Sequence, residues 1–156
     1  MSTISIPVTA TFAGILGVVY TALNLNVVKV RFGSRVLIGD GSLELLREVA
    51  HKKEGTTVDF KKFNKLMSAV RAHANFIEYV PIQLILAALL ELQGVDKLKL
   101  KVLLSVFTLS RLLHTTGITK SNFLGAGRPI GTFTTFGTIL ISAIANIYVS
   151  YPAFRK

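Results

Sequence analysis

Four apolar stretches punctuate the chain, from about Pro7 to Val28, Arg71 to Leu92, Leu98 to Ile118 and Ile130 to Val149. A helix needs roughly 20 residues to cross the hydrocarbon core of a bilayer, so the pattern predicts four membrane-spanning helices. The third is the weakest of them because Arg111 and His114 interrupt it, and an interfacial hairpin is its alternative. The second opens on Arg71, Asn75 and Glu78, spaced i, i+4, i+7 and therefore on one helical face. Ionisable groups are costly in a spanning helix and usually face a bundle interior or a wet cavity, which makes this stripe a candidate site. The competing account is an interfacial arginine that snorkels to headgroups, with Glu78 as its partner inside the bundle. Pro81 removes the donor for the carbonyl of Ile77 and is expected to bend this segment.

Two stripes of small or polar residues read as helix contacts. Thr9, Ala13, Gly17 and Thr21 recur every four residues on the first segment, as do Thr134, Thr138, Ser142 and Asn146 on the fourth.

The intervening polar stretch, residues 29–70, carries a weaker pattern. Gly39-Asp40-Gly41 predicts a turn, with Ser42 capping a short amphipathic helix from Leu43 to about Lys52. Leu43, Leu46 and Ala50 share one of its faces. Gly55-Thr56-Thr57 should break it. Phe60, Phe63, Leu66, Met67 and Val70 then recur at helical spacing behind Asp59, so segment two is expected to project beyond the bilayer.

Charge orients the four spans. Nine Lys and Arg residues fall between Lys29 and Lys65, Lys120 and Arg128 lie in the third connection, and the N-terminal tail has none. The positive-inside rule then predicts that loops one and three are cytoplasmic and both termini outside. Arg71, Arg111 and His114 all approach the cytoplasmic side in that arrangement.

Composition agrees with a membrane protein. The 156 residues are 51% hydrophobic and 17% charged, with mean hydropathy +0.55. A net charge of +10 would suggest nucleic acid in a soluble domain. Here it lies between apolar segments and matches topology and anionic lipid instead, so no nucleic-acid partner is expected. Without cysteine, disulfides and thiol catalysis by the protein itself are excluded. No metal-ligand cluster, phosphate loop or Ser/His/Asp triad is present in the sequence.

Arg71-Ala72-His73-Ala74-Asn75, followed by Glu78-Tyr79 and Pro81, resembles the signature of the MAPEG family, the membrane-associated proteins of eicosanoid and glutathione metabolism. Asn24-Leu25-Asn26-Val27-Val28 with Gly39-Asp40-Gly41 resembles the end of the family's first helix and its turn. Arg111-Leu112-Leu113-His114 with Gly117 resembles its third-helix motif. Residues 44–63 look like an insertion relative to the short bacterial-type members.

The resemblance implies an all-α, integral membrane four-helix bundle spanning residues 1–156 as a single domain, assembled as a homotrimer with glutathione between protomers as co-substrate. By position, Arg71 would pair with a glutathione carboxylate, while Asn75, Glu78 and Tyr79 would hold its polar backbone and amino group. Arg111 and His114 would line the same site. Lys29 or Arg31 matches a basic residue at the end of helix one, and Arg128 is the counterpart of a thiolate-stabilising arginine. The implied activity is a glutathione transferase or peroxidase acting on lipophilic electrophiles or lipid hydroperoxides. The implied location is an endomembrane in a eukaryote or the inner membrane in a bacterium. One departure favours a non-catalytic, lipid-binding scaffold: where several eicosanoid-type members carry a tyrosine four residues after His114, this chain has Ile118. A proton or ion pathway built on Glu78 and His114 is a third possibility.

Overall fold

The computed structural model describes residues 5–53, 57–119 and 125–155. The expected break at Gly55-Thr56 and the loop residue Lys120 lie outside them. Five helices follow in order: α1 (Pro7–Ser34), α2 (Ser42–Ala50), α3 (Phe60–Leu92), α4 (Lys97–Ile118) and α5 (Gly127–Phe154). No strand occurs among the described residues.

Three helices are long and apolar enough to cross a membrane: α1, α3 and residues 127–153 of α5. The fourth expected span, α4, fails that hydropathy test for the reason visible in its sequence: Lys97, Lys99, Lys101, Arg111 and His114 dilute it. It is nevertheless well enclosed. Leu100, Leu104, Phe107, Arg111, His114 and Ile118 are all buried, because α4 packs against α1, α3 and α5. A helix surrounded by protein can carry polar groups that lipid would not accept.

The expected boundaries at the basic end require correction. Residues 29–34 continue α1, which shortens the expected loop, while 60–70 belong to α3 behind the Asp59 cap, as their helical spacing predicts. The apolar positions there continue the helical pattern and bury against each other. Val27, Val30 and Val36 form one core cluster with Phe63, Leu66 and Ala69. Arg35 ends α1 in the left-handed region (φ 56°), with Val36 N–H bonded to the Arg31 carbonyl and Arg35 N–H to that of Phe32. This Schellman arrangement folds the chain back so that Val36 reaches the cluster. Gly41 (φ 87°) lies so close to α3 that an added Cβ would stand 3.0 Å from Phe63 Cδ1. Ser42 is not the cap of α2. It is the first helical residue, and its N–H is bonded at 3.1 Å by Asp40 Oδ1. Bonding from the Ser42 side chain first and then from its N–H, with Arg71 contributing at longer range, holds the Asp40 carboxyl below its ordinary pKa.

At the opposite end, a remote acid organises the first helix. Glu91, buried at the end of α3, accepts from Val8 N–H (2.9 Å), Thr9 N–H (2.8 Å) and the Thr9 hydroxyl (2.7 Å). It thereby caps α1, which has no side-chain cap of its own. Gly94 turns the chain with φ 79°, and Asp96 then caps α4 through Leu98 and Lys99 N–H.

The two small-residue stripes behave differently. On α5, Thr138 and Ser142 are buried, Gln83 donates to Ser142 Oγ at 2.8 Å, and Asn146 donates to the Leu86 carbonyl at 3.0 Å. Thr135, not Thr134, is the fully buried threonine, and its hydroxyl lies 2.9 Å from that of Ser110. On α1, Thr9 is engaged by Glu91. Gly17, however, makes no close helix approach, since a Cβ there would meet nothing within 4 Å.

Candidate functional site

A cavity of about 570 Å³ opens between α3, α4 and α5, within the roughly 300–1,000 Å³ of small-molecule sites. From α3 it takes Arg71, Asn75 and Glu78, from α4 His114 and Ile118, and from α5 Arg128 and Thr132. Five of the residues expected from sequence therefore converge on one space. Helical spacing places the first three on a single face. Convergence of the others depends on how closely α4 and α5 approach.

That approach is made by glycine. A Cβ on Gly117 would stand 2.3 Å from Arg128 N, one on Gly127 2.4 Å from the Leu113 carbonyl oxygen, and one on Gly131 2.5 Å from that of Ser110. Gly127 and Gly131 enclose Arg-Pro-Ile in the small-xxx-small spacing that lets membrane helices touch backbone to backbone. The spacing of Gly127 and Gly131 is itself a sequence signal of this close approach.

The contact places His114 beside the start of α5. Its Nδ1 lies 3.1 Å from the Arg128 carbonyl oxygen and 3.0 Å from Thr132 Oγ1, and the Thr132 hydroxyl donates to the same carbonyl at 2.9 Å. With both oxygens able to accept, the network assigns the proton of the neutral ring to Nδ1. Nε2 is left as a buried acceptor with no partner among the described residues. Thr132, one turn beyond Arg128, is a site residue that sequence spacing could have supplied.

Arg111 lies behind the cavity wall. It is 1% exposed, and its Nη1 donates to Asn75 Oδ1 at 3.2 Å. Its Cζ stands 5.3 Å from the centre of the Tyr79 ring, a cation–π distance. Its Nε and Nη2 have no acceptor among the described residues. Arg111 thus does not line the cavity as expected; it acts from behind, orienting Asn75, the member of the stripe nearest the bundle interior.

Other expected site residues fall elsewhere. Tyr79 does not line the cavity. Its ring packs against Phe136 at 5.6 Å and against Arg111, so its place is in the bundle. Lys29 and Arg31 do not line it either; Lys29 is exposed and Arg31 reaches back to the Val36 carbonyl at 3.5 Å. Both belong to the continued α1, whose Val27 and Val30 share a core cluster with Val36 and with Phe63, Leu66 and Ala69 of α3. His73 is half-buried with its ring 5.2 Å from that of Tyr20, so it joins α3 to α1. His51 stays exposed and bonds the Arg47 carbonyl at 3.0 Å. No cluster of His and acidic residues suited to a metal exists among the described residues.

Chemically, the cavity offers two guanidinium groups, a carboxylate, an amide, a hydroxyl and an imidazole on a partly apolar wall. This set suits a small zwitterionic ligand with more than one carboxylate. Arg71 and Glu78 are exposed at the mouth, whereas His114 and Ile118 are buried in the depth.

Comparison with known proteins gives a consistent assignment. The profile described as the MAPEG family matches residues 9–148. The inner membrane protein YecN of Escherichia coli K12 is 26% identical over 141 residues, 90% of this chain and 91% of YecN. YecN of the O6:H1 strain CFT073 is similar to the same extent. No solved structure matches.

Proposed function

Because the chain belongs to the MAPEG family, we propose that it is a glutathione-dependent transferase or peroxidase of a membrane, acting on lipophilic electrophiles or lipid hydroperoxides. The observation that carries this reading is the single cavity joining Arg71, Asn75 and Glu78 to His114 and Arg128. Glutathione has two carboxylates, an ammonium and a thiol, and the cavity has a guanidinium for one carboxylate, a carboxylate for the ammonium and a second guanidinium for the thiolate. Arg71 would take a carboxylate as a two-pronged donor, Glu78 the ammonium, and Asn75, held by Arg111, the peptide groups. The bare Nε2 of His114, a residue of the cavity wall, is a buried polar atom that a peptide ligand would satisfy.

The thiol, with a reference pKa of roughly 8.5, becomes a nucleophile on ionisation. Arg128 at the cavity wall would favour the thiolate by its charge, the more so where the boundary excludes water. Attack on an electrophile R–X then forms the S–R bond and releases X⁻, the thiol proton having passed to solvent. With a hydroperoxide, two thiols give one disulfide, an alcohol and water. The exposed mouth at Arg71 and Glu78 suits closure by a neighbouring protomer in a homotrimer of four-helix protomers. Loops one and three would face the cytoplasm, and a bacterial host would carry the protein in its inner membrane.

The scaffold reading retains the fold and dispenses with turnover. It is favoured by Ile118, which lines the cavity where a hydroxyl would otherwise reach the sulfur.

Calorimetric titration of the full-length protein in detergent micelles with glutathione tests the proposal. Wild type should bind, and Arg71→Ala and Glu78→Ala should each weaken binding by about 2 kcal/mol, roughly 30-fold. Unchanged affinity in both variants would make the stripe structural and remove glutathione from this cavity.

A further inference from the structure

We infer that α2 is a membrane-surface anchor whose apolar face lies in an anionic leaflet at the same end of the molecule as the cavity. Amphipathic spacing by itself would turn Leu43, Leu46 and Ala50 toward the protein. The structure turns them away. Leu45 and Glu48 face α3, the first packing on the Val27–Phe63 cluster and the second paired with Lys62 Nζ at 2.7 Å. Leu43 and Leu46 are 54% and 64% exposed, and Ile38 ahead of the helix is 84% exposed. No described element of the chain covers this face.

Depth argues for lipid rather than water. Val27 and Val30 lie about 30–35 Å along α1 from Pro7, at about 1.5 Å per residue, which is the far edge of a hydrocarbon core that begins near Pro7. The Schellman turn at Arg35 returns the chain, Val36 joins those two valines in one cluster with Phe63 and Leu66, and Leu45 of α2 packs against that cluster from the α3 side. Helix α2 is thereby held near the depth of the lipid headgroups and not several turns above them.

Charge specifies the lipid. Arg35, Arg47 and Lys52 are exposed beside the apolar face, and basic residues flanking an apolar helical face favour anionic headgroups. Leu, Ile and Arg on the outward side form the pattern of an interfacial helix, with Glu48 drawn to the α3 side by Lys62. The anchor would hold the Gly39-Asp40-Gly41 turn against α3 beside Arg71 at the cavity mouth.

The cysteine-free chain allows single labels without background. Full-length protein carrying a nitroxide at Leu43→Cys, Leu46→Cys or, as an aqueous reference, the exposed α3 residue Asn64→Cys would be reconstituted in phosphatidylcholine vesicles containing phosphatidylglycerol. At positions 43 and 46, collisions with oxygen should exceed those with a water-soluble nickel chelate, and position 64 should show the reverse. Lowering the phosphatidylglycerol content should move labels 43 and 46 toward nickel accessibility. Nickel access at 43 and 46 equal to that at 64 would overturn the proposal in favour of a solvated helix. Shielding from both reagents, with spin–spin broadening, would overturn it in favour of contact with a second copy. Circular dichroism of each labelled protein confirms that the helices are retained.

Discussion

Replacing Gly117 by alanine tests the contact that assembles the cavity. The new methyl group would stand 2.3 Å from Arg128 N, 2.9 Å from Arg128 Cα and 2.9 Å from Gly127 C. All three atoms are backbone, so no rotamer change relieves them and α5 must move. Overpacking of this kind costs about 1–3 kcal/mol, and the upper part of that range applies when backbone must yield. Alanine returns about 0.5–1 kcal/mol through its better helix propensity. The net expectation is a loss of about 1–2 kcal/mol. Gly14→Ala supplies the reference, because a Cβ at Gly14 meets nothing within 4 Å; that variant should gain about 0.5–1 kcal/mol from propensity alone. Helix content followed through an SDS titration in mixed micelles should therefore separate the two variants by about 2–3 kcal/mol. The same displacement moves Arg128 and the His114 network, so Gly117→Ala should also lose glutathione affinity while Gly14→Ala retains it. Equal stability of the two variants would refute the backbone-to-backbone packing of α4 on α5, and with it the geometry of the site.

Glu91→Ala leaves two α1 N–H groups and the Thr9 hydroxyl without their acceptor; a charged acceptor of this kind contributes about 1.5–3 kcal/mol, so the SDS midpoint should fall accordingly and Glu91→Gln should fall between the two. Arg128→Ala should depress turnover with a model electrophile far more than it depresses glutathione affinity, because thiolate charge governs rate and carboxylate contacts govern occupancy. The thiolate absorbance of bound glutathione should then require higher pH, since the cation that lowers the thiol pKa is gone. Ile118→Tyr in the same assay should raise activity; wild type that binds glutathione but gives no thiolate signal and no turnover would select the scaffold.

Much of this molecule was legible in one dimension. The spans of α1, α3 and α5 follow from apolar length, and the face shared by Arg71, Asn75 and Glu78 follows from helical spacing, because both are periodic properties of a single element. The motifs around Arg71 and Arg111 also carry the family, which the profile match over residues 9–148 bears out. The limits appear where two elements must meet. That Tyr79 turns to Arg111 and Phe136 while Thr132 joins the cavity depends on the rotation of three helices about their axes. The extension of α1 to Ser34, by contrast with the start of α3 that helical spacing behind Asp59 already gave, depends on Val30 and Val36 burying against Phe63 and Leu66 of another helix. Glu91 illustrates the same point: in sequence it is an acid at the end of an apolar run, and it becomes the cap of a helix that begins 84 residues earlier, at Pro7, only through tertiary approach. Local periodicity fixes which residues share a face; which face meets which is decided by close packing, where a glycine, a turn residue or a buried acid determines the distance between backbones.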